Sequence, residues 1–306
     1  MTQRVIVIAN PASGRGRGAK ALPAIREQFA AVGVTDVRTT AAKGDERAAT
    51  LRAIDEGATT IVAAGGDGTW SNVANAILSS GADVRLALLA AGTGNDFAKT
   101  VGAPARDIRA TARLAIEGPD VRSDVGRIED RFFLNVSGFG FDIAVLEHIE
   151  RISWLKGDAV YLYSALRQLF GYGGLEIDLR AGAANGAPRR LVRHLMLIVA
   201  NARNFGGSFR IAPSASVRDG MLDAIAIRDA APLRRMKLFG AATKGTHTAL
   251  PEVISEQAPR FTVRFPAPPA YETDGEYNRA RSAEIEIACV PAALRVVTSA
   301  EGAAAA

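Results

Sequence analysis

The 306-residue chain holds one cysteine, Cys289. That excludes an intrachain disulfide and points to a reducing compartment. Cys289 lies in an apolar, strand-like run, which suits a buried, inert thiol. The three histidines, His148, His194 and His247, stand apart, without metal-ligand spacing or a Ser/Asp partner pattern, and read as structural. No apolar run approaches the ~18–20 residues of a membrane-spanning helix. The longest candidates, Leu195 to Ala200 and Ile225 to Ile227, have strand length. No signal peptide is expected, because Arg4 leads straight into Val5–Ile8 and polar Asn10 ends that run. A Walker A loop is missing: Ala19 and Ala21 replace its glycine and its hydroxyl residue. Gly14-x-Gly16-x-x-Ala19 is a weak match to a dinucleotide fingerprint, and no acid stands in Val37-Arg38-Thr39-Thr40 to hold a ribose. Internal repeats are lacking too.

Charge is close to balanced. Lys and Arg number 37 and Asp and Glu 32, for a formal charge of +5. An excess this small is no nucleic-acid footprint, and no nucleic-acid partner is expected. It fits anionic ligands or anionic lipid heads. With 48% hydrophobic residues the chain can bury a substantial core.

Residues 1 to about 120 alternate strand and helix. Strands are expected at Val5–Ala9, Val37–Thr39, Thr60–Ala64 and Leu86–Leu89. Helices are expected at Lys20–Val32 and from Asp45, Thr69 and Asn95, all three cap-type residues. This pattern predicts a doubly wound parallel α/β domain, 1–122. Beyond it come many strands without crossover helices: Val121–Ile128, Arg131–Val136, Leu175–Arg180, Leu191–Ala200, Leu222–Ile227, Arg260–Phe265, Glu284–Val290 and Leu294–Thr298. They predict an antiparallel β-sandwich, 123–306, interrupted by helices at 139–170 and 231–247, with the last residues returning to the first domain.

Three glycine loops end strands of the first domain: Asn10-Pro11-Ala12-Ser13-Gly14, Gly65-Gly66-Asp67-Gly68-Thr69 and Gly92-Thr93-Gly94-Asn95-Asp96. In an open parallel sheet they share the ligand-binding edge. Glycine admits close approach of phosphate, and each following helix points free N–H groups at it. A nucleotide polyphosphate site follows. Asp67 then makes sense as a Mg²⁺ holder, with Asp96 as its acidic neighbour. Arg15 and Arg17 are phosphate contacts or solvated. Asp274-Gly275-Glu276 and Arg218 to Asp223 read first as turns.

Together these motifs resemble the diacylglycerol kinase catalytic-domain superfamily, which also holds sphingosine and ceramide kinases; the middle loop is shared with NAD kinases and phosphofructokinases. The resemblance spans nearly the whole chain and implies an active site in a cleft between the two domains. It places Asn10, Pro11, Ala12, Ser13, Gly14, Thr40, Gly66, Asp67, Gly68, Thr69, Trp70, Ser71, Asn72 and Thr93 around ATP. It makes Glu276 the general base toward a lipid hydroxyl, and Asp67, Asp96 and Asp274 the acidic network around catalytic Mg²⁺. It also implies a second, structural Mg²⁺ on Asp219 and the carbonyls of Ser216 and Met221. One departure is that Ser71 and Asn72 stand where relatives carry Asn and Glu.

The implied activity is phosphoryl transfer from ATP to the primary hydroxyl of a membrane lipid, diacylglycerol or a sphingolipid such as ceramide. The implied setting is cytoplasmic, peripheral at the inner face of the membrane, with a second copy of the chain as a candidate partner. An NAD kinase-like activity on a soluble substrate, a noncatalytic nucleotide or lipid binder and an NAD(P)-dependent oxidoreductase are the alternatives. Ile152 to Lys156 with Val160 to Phe170 form an interfacial lid or packed helices. Arg234-Arg235-Met236-Lys237 meets lipid heads or water.

Overall fold

The computed structural model describes residues 3–42, 44–92, 94–104, 106–152, 158–182 and 190–299. The first half begins with β1 (Val5–Ala9), α1 (Ser13–Ala30), β2 (Val37–Thr39), α2 (Asp45–Asp55), β3 (Thr60–Gly65) and α3 (Asp67–Ser80). It continues with β4 (Arg85–Ala90), α4 (Asp96–Thr100), α5 (Ile108–Glu117), β5 (Asp120–Ile128), β6 (Arg131–Phe133) and β7 (Val136–Gly140). The second half holds α6 (Phe141–Glu150), α7 (Asp158–Gly171), β8 (Leu175–Ala181), β9 (Val192–Ala200), β10 (Leu222–Arg228) and α8 (Pro232–Lys244). It ends with β11 (Val253–Ala258), β12 (Arg260–Arg264), β13 (Ala270–Thr273), β14 (Glu276–Arg279) and β15 (Glu284–Val297).

Strands β2, β1, β3 and β4 form a parallel sheet in that order. Alternate side chains bury both faces, which is why the strands read as unbroken apolar runs. Val5, Val7 and Ala9 pack with Ile25 and Phe29 of α1 and Ala112 and Ala115 of α5. Ile6 and Ile8 pack with Ala49 and Ala53 of α2 and Trp70, Val73 and Ile77 of α3. The carboxyl ends of β1, β3 and β4 are therefore neighbours, and the three glycine loops share one edge.

The rest is a β-sandwich. Strand β8 belongs to both sheets: Leu175–Ile177 pair with β9, and Asp178–Ala181 pair with β12. The inner faces meet through Phe133, Phe139, Leu197, Val199, Phe261, Val263, Tyr271 and Ile287. Phe139 stacks on Tyr271, with ring centroids 5.8 Å apart. Rather than interrupting the sandwich, α6, α7 and α8 cover its outer face: Phe141, Val145, Leu169, Leu238 and Ala242 bury Ile198, Ile225 and Ile227. No helix of the described residues is long and apolar enough to cross a membrane.

The sequence separates Glu284–Val290 from Leu294–Thr298, but they form one strand, β15, broken only by a register shift between Val290 and Leu294. Its first half pairs with β12 in the sandwich, and Arg295 and Val296 pair in parallel with β4. Buried Asp124 of β5 holds the irregularity in place: its carboxylate accepts from Ala292 N–H and Gly220 N–H, each at 2.7 Å. Asp124→Ala strands both donors. The expected loss is about 2–3 kcal/mol, read as a lower urea midpoint with an unchanged m-value.

Candidate active site

The glycine loops touch backbone to backbone. A Cβ on Gly92 would stand 2.5 Å from Gly66 Cα and 2.7 Å from Asn95 Oδ1. Close approach, not turn geometry, therefore requires glycine at 66 and 92. The first loop enters α1 through a left-handed kink, with φ of +57° at Gly14, +60° at Arg15 and +85° at Gly16. A Cβ on Gly14 would strike Ala91 O. Asn10 joins the loops: Nδ2 donates to Glu46 Oε1 (2.9 Å) and Thr69 Oγ1 (3.1 Å), while Oδ1 accepts from Ala12 N–H (2.9 Å). Ser13 Oγ donates to Asn10 O at 2.8 Å. Arg17 (2.8 Å) and Arg106 (3.3 Å) both donate to Gly92 O, which places two guanidinium groups beside the third glycine loop.

Asp67 and Asp96 crowd the same edge. Asp67 Oδ1 caps α4, accepting from Asp96 N–H (2.7 Å) and Phe97 N–H (3.2 Å). The two Oδ2 atoms converge over Gly94: a Cβ there would lie 3.1 Å from that of Asp67 and 3.4 Å from that of Asp96. Burial, then the Asp96 charge, pushes Asp67 above the usual carboxylate range. Asp96 is steadied by Lys99 Nζ (2.9 Å) and Gly207 N–H (2.8 Å). Two converging carboxylate oxygens suit a hard divalent cation. Among the described residues, no cluster of three or more His, Cys, Asp or Glu groups is arranged to hold a metal.

Across the cleft, the β13–β14 hairpin turns on Asp274 (φ +50°) and Gly275 (φ +85°), the pair of left-handed residues that a tight hairpin requires. Glu276 follows, its Oε1 3.9 Å from where a Cβ on Gly68 would stand. Asp274 lines the cleft, but its oxygens hold the protein together. They accept from Leu134 N–H (2.8 Å), Asn135 N–H (2.8 Å), Val136 N–H (3.2 Å) and the Ser71 hydroxyl. Burial pushes it up to about 6. A cavity of about 380 Å³ lies among Asp67, Asp96, Asn135, Phe205, Gly207 and Asp274.

Several expected residues have other tasks. Trp70 is fully buried, and its indole N–H donates to Ala63 O at 3.0 Å, so its side chain packs the core. Neither Thr69 nor Asn95 caps its helix through its side chain. Thr69 receives Asn10, and Asn95, itself left-handed (φ +53°), donates to Gly92 O at 3.1 Å. Ser71 clamps Asp274 and Asn72 lies part-buried in α3, while Thr40, also buried, donates its N–H to Ala9 O at 3.0 Å. Thr93 lies outside the described residues, as do Ser153 to Lys156. The turn with Ser216, Asp219 and Met221 packs toward Asp124 and the β15 irregularity through Gly220. Asp219 is exposed and accepts from Met221 N–H (3.0 Å) and Gln257 Nε2 (3.1 Å). Cys289 is only half-buried, though burial pushes its thiol up to about 12.

Other site residues escaped sequence reasoning. Glu46, Lys99 and Arg106 carry no motif. Gly206-Gly207 is a turn signal, but Gly207 reaches Asp96 from 111 residues away. Glu272, almost fully buried, accepts Gly275 N–H and braces the hairpin. Its Oε1 and Asp142 Oδ2 face one another over Gly138, and burial raises both carboxyls, Asp142 to about 7.

Known proteins resemble the chain over nearly its whole length. Residues 4–128 fit the diacylglycerol kinase catalytic domain, and residues 135–298 fit the YegS C-terminal NAD kinase beta sandwich-like domain. A diacylglycerol kinase of Mycobacterium tuberculosis is 30% identical over 305 residues, covering 98% of this chain and 96% of that protein. One of Bacillus subtilis is 27% identical over 279 residues, 90% of each. The crystal structure of a diacylglycerol kinase from Bacillus anthracis shares the fold, with a TM-score of 0.73, 18% identity and 98% of each chain covered. With glycine loops, paired acids and sandwich in this order, the chain belongs to the diacylglycerol kinase family of lipid kinases.

Proposed function

We propose that the chain transfers the γ-phosphoryl group of ATP to the primary hydroxyl of a membrane lipid, diacylglycerol first and ceramide as the sphingolipid alternative. One observation carries this reading: Glu276 Oε1 lies 3.9 Å from where a Cβ on Gly68 would stand, on the hairpin whose Asp274 and Gly275 line one cavity with Asp67 and Asp96. Phosphoryl transfer asks a protein mainly for positioning and charge neutralisation. The loops of Asn10–Gly14, Gly66–Thr69 and Gly92 would cradle the phosphates, with Arg17 and Arg106 behind them. Asp67 and Asp96 would hold Mg²⁺, which when bound neutralises phosphate charge. Glu276 would take the hydroxyl proton as the lipid oxygen bonds to the γ-phosphorus. The bond to the β-phosphate oxygen then breaks and ADP leaves.

The acyl chains have space in a cavity of about 640 Å³ whose lining includes Phe139, Ile143, Tyr172, Leu175 and Phe265. Phe139 follows Gly138, which pairs with Glu272 beside the hairpin. Such a substrate places the protein peripherally on a membrane. A structural Mg²⁺ at Asp219 and the carbonyls of Ser216 and Met221 belongs to the same reading.

A γ-labelled ATP transfer assay tests it, with diacylglycerol, ceramide, sphingosine and monoacylglycerol in mixed micelles and Asp67→Ala alongside. Label on a lipid that vanishes in the variant supports the kinase; no label on any lipid sinks it. Glu276→Gln is expected to keep nucleotide binding and lose ~10²–10⁴-fold in turnover. Near-normal turnover removes Glu276 as the base. Gly92→Ala forces the loops apart and should weaken binding of a nonhydrolysable ATP analogue roughly tenfold or more by calorimetry, the scale of overpacking.

The Asp274 carboxyl gives a pH signature. As pH falls through about 6 it gains a proton, loosens its N–H contacts and frees the Glu276 hairpin. Turnover should fall there. Stability moves the other way for this group, because the folded chain takes up the proton more readily than the unfolded one. Parallel pH series of turnover and urea midpoint check both signs, and Asp274→Asn should flatten the acid limb.

A further inference from the structure

Among the described residues, β14 is the outermost strand of its sheet, with β13 as its neighbour. Glu276 opens β14, so the candidate base stands on an edge that strand pairing secures from one side. The pleat sorts the side chains of the hairpin. Thr273 and Glu276 are register partners and share one face; Glu272 and Tyr277 are register partners and share the other. The first face brings Glu276 toward Gly68. The second meets α6.

Two contacts join that second face to the helix. Asp142, in the first turn of α6, brings Oδ2 beside Glu272 Oε1 in the space that a Cβ on Gly138 would take. Further along α6, Glu147 Oε1 accepts the Tyr277 hydroxyl at 2.9 Å. The two contacts differ in burial. Glu272 is almost fully buried and also accepts Gly275 N–H, so it belongs to the core of the hairpin. Tyr277 is 38% exposed and Glu147 half-buried, so their hydrogen bond fills no core. Arg279 Nη2 donates to the same Tyr277 oxygen at 3.4 Å. Glu147 also lines the cavity of about 640 Å³, with Ile143 and Ala144 of the same helix. The side chain that receives Tyr277 therefore belongs both to the support of the hairpin and to the wall of the cavity.

We propose that Tyr277 and Glu147 are positioning residues: their hydrogen bond sets the Glu276 hairpin against the second glycine loop and ties it to the helix that walls the cavity. A general base works only within hydrogen-bond reach of the proton it takes. A displacement of ~1 Å can cost on the order of 10²-fold in rate. Tyr277 is the residue next to Glu276, so a hold on its hydroxyl acts on the base through a single peptide unit. An edge strand lacks the second partner that would otherwise hold it, and segments with few contacts open locally. The inference rests on the lipid-kinase reading for the role of Glu276; the contact between hairpin and α6 stands without it.

The test pairs steady-state phosphoryl transfer to micellar diacylglycerol with amide hydrogen exchange, both on the full chain. Tyr277→Phe removes the hydroxyl and keeps the ring. Glu147→Ala removes the acceptor, and Glu147→Gln keeps an acceptor oxygen. Neither position is in the core, so circular dichroism should be unchanged. Tyr277→Phe and Glu147→Ala are expected to lower kcat roughly tenfold and to leave KM for ATP and for lipid within about twofold. Glu147→Gln should recover most of the turnover that Glu147→Ala loses. The double variant, Tyr277→Phe with Glu147→Ala, should lose no more than either single one, because both remove the same contact. The amides of Glu276–Arg279 should exchange roughly tenfold faster in Tyr277→Phe and Glu147→Ala than in the parent chain. Parent-level kcat in Tyr277→Phe overturns the proposal, as does a raised KM at unchanged kcat, which would make Tyr277 a substrate contact. Additive losses in the double variant, a Glu147→Gln as damaging as Glu147→Ala, or unaltered exchange overturn it too. A parent chain that labels no lipid strikes the kinase reading instead, and the exchange comparison then decides whether the hydrogen bond holds the hairpin.

Discussion

The cleft depends on the carboxyl group of Asp274. It gathers three consecutive backbone N–H groups, from Leu134 to Val136, and the hydroxyl of Ser71 on α3. It thereby ties the parallel sheet's third helix to the start of the sandwich. The same residue turns the hairpin that presents Glu276. Burying a carboxylate is costly, and its elevated pKa records that cost. The cost is offset by donors that only this arrangement brings together. Asp124 does the equivalent at the other end of the junction, where β15 passes from one domain to the other.

The catalytic edge is organised by crowding of like charge. Asp67 and Asp96 point oxygens at one spot over Gly94, and each also holds backbone donors. Lys99 supplies one positive charge. Two converging carboxylate oxygens suit a hard cation, and the glycine contacts at 66 and 92 keep the loops close to them. The helices on the sandwich's outer face do a different job. One side of α7 and α8 completes the core, and the other carries apolar and basic groups to the surface.

Local signals read true where the chain repeats itself on a short scale. The strands at Val5–Ala9 and Thr60–Gly65 are buried on both faces, so apolar runs sufficed. The hairpin strands β13 and β14 were missed. Each has only four residues, and those of β14 are polar and part-exposed, so no periodicity develops. Strand β11 was missed too, because most of its residues face solvent. The family resemblance implies Trp70 beside ATP. Helical geometry turns that one side chain into the core, where its N–H meets Ala63.

The sequence alone determined the fold class, the glycine loops and the acids that go with them, because these follow from residue type and spacing along a few residues. Tertiary structure decided what each acid does. Asp67 caps a helix, Asp274 clamps two domains, and Glu276 faces the loop from more than 200 residues along the chain. Lys99 and Arg106 joined the site without any local signature. Such roles depend on distances between segments far apart in sequence, and those distances are fixed only when the sheets pack and close the cleft.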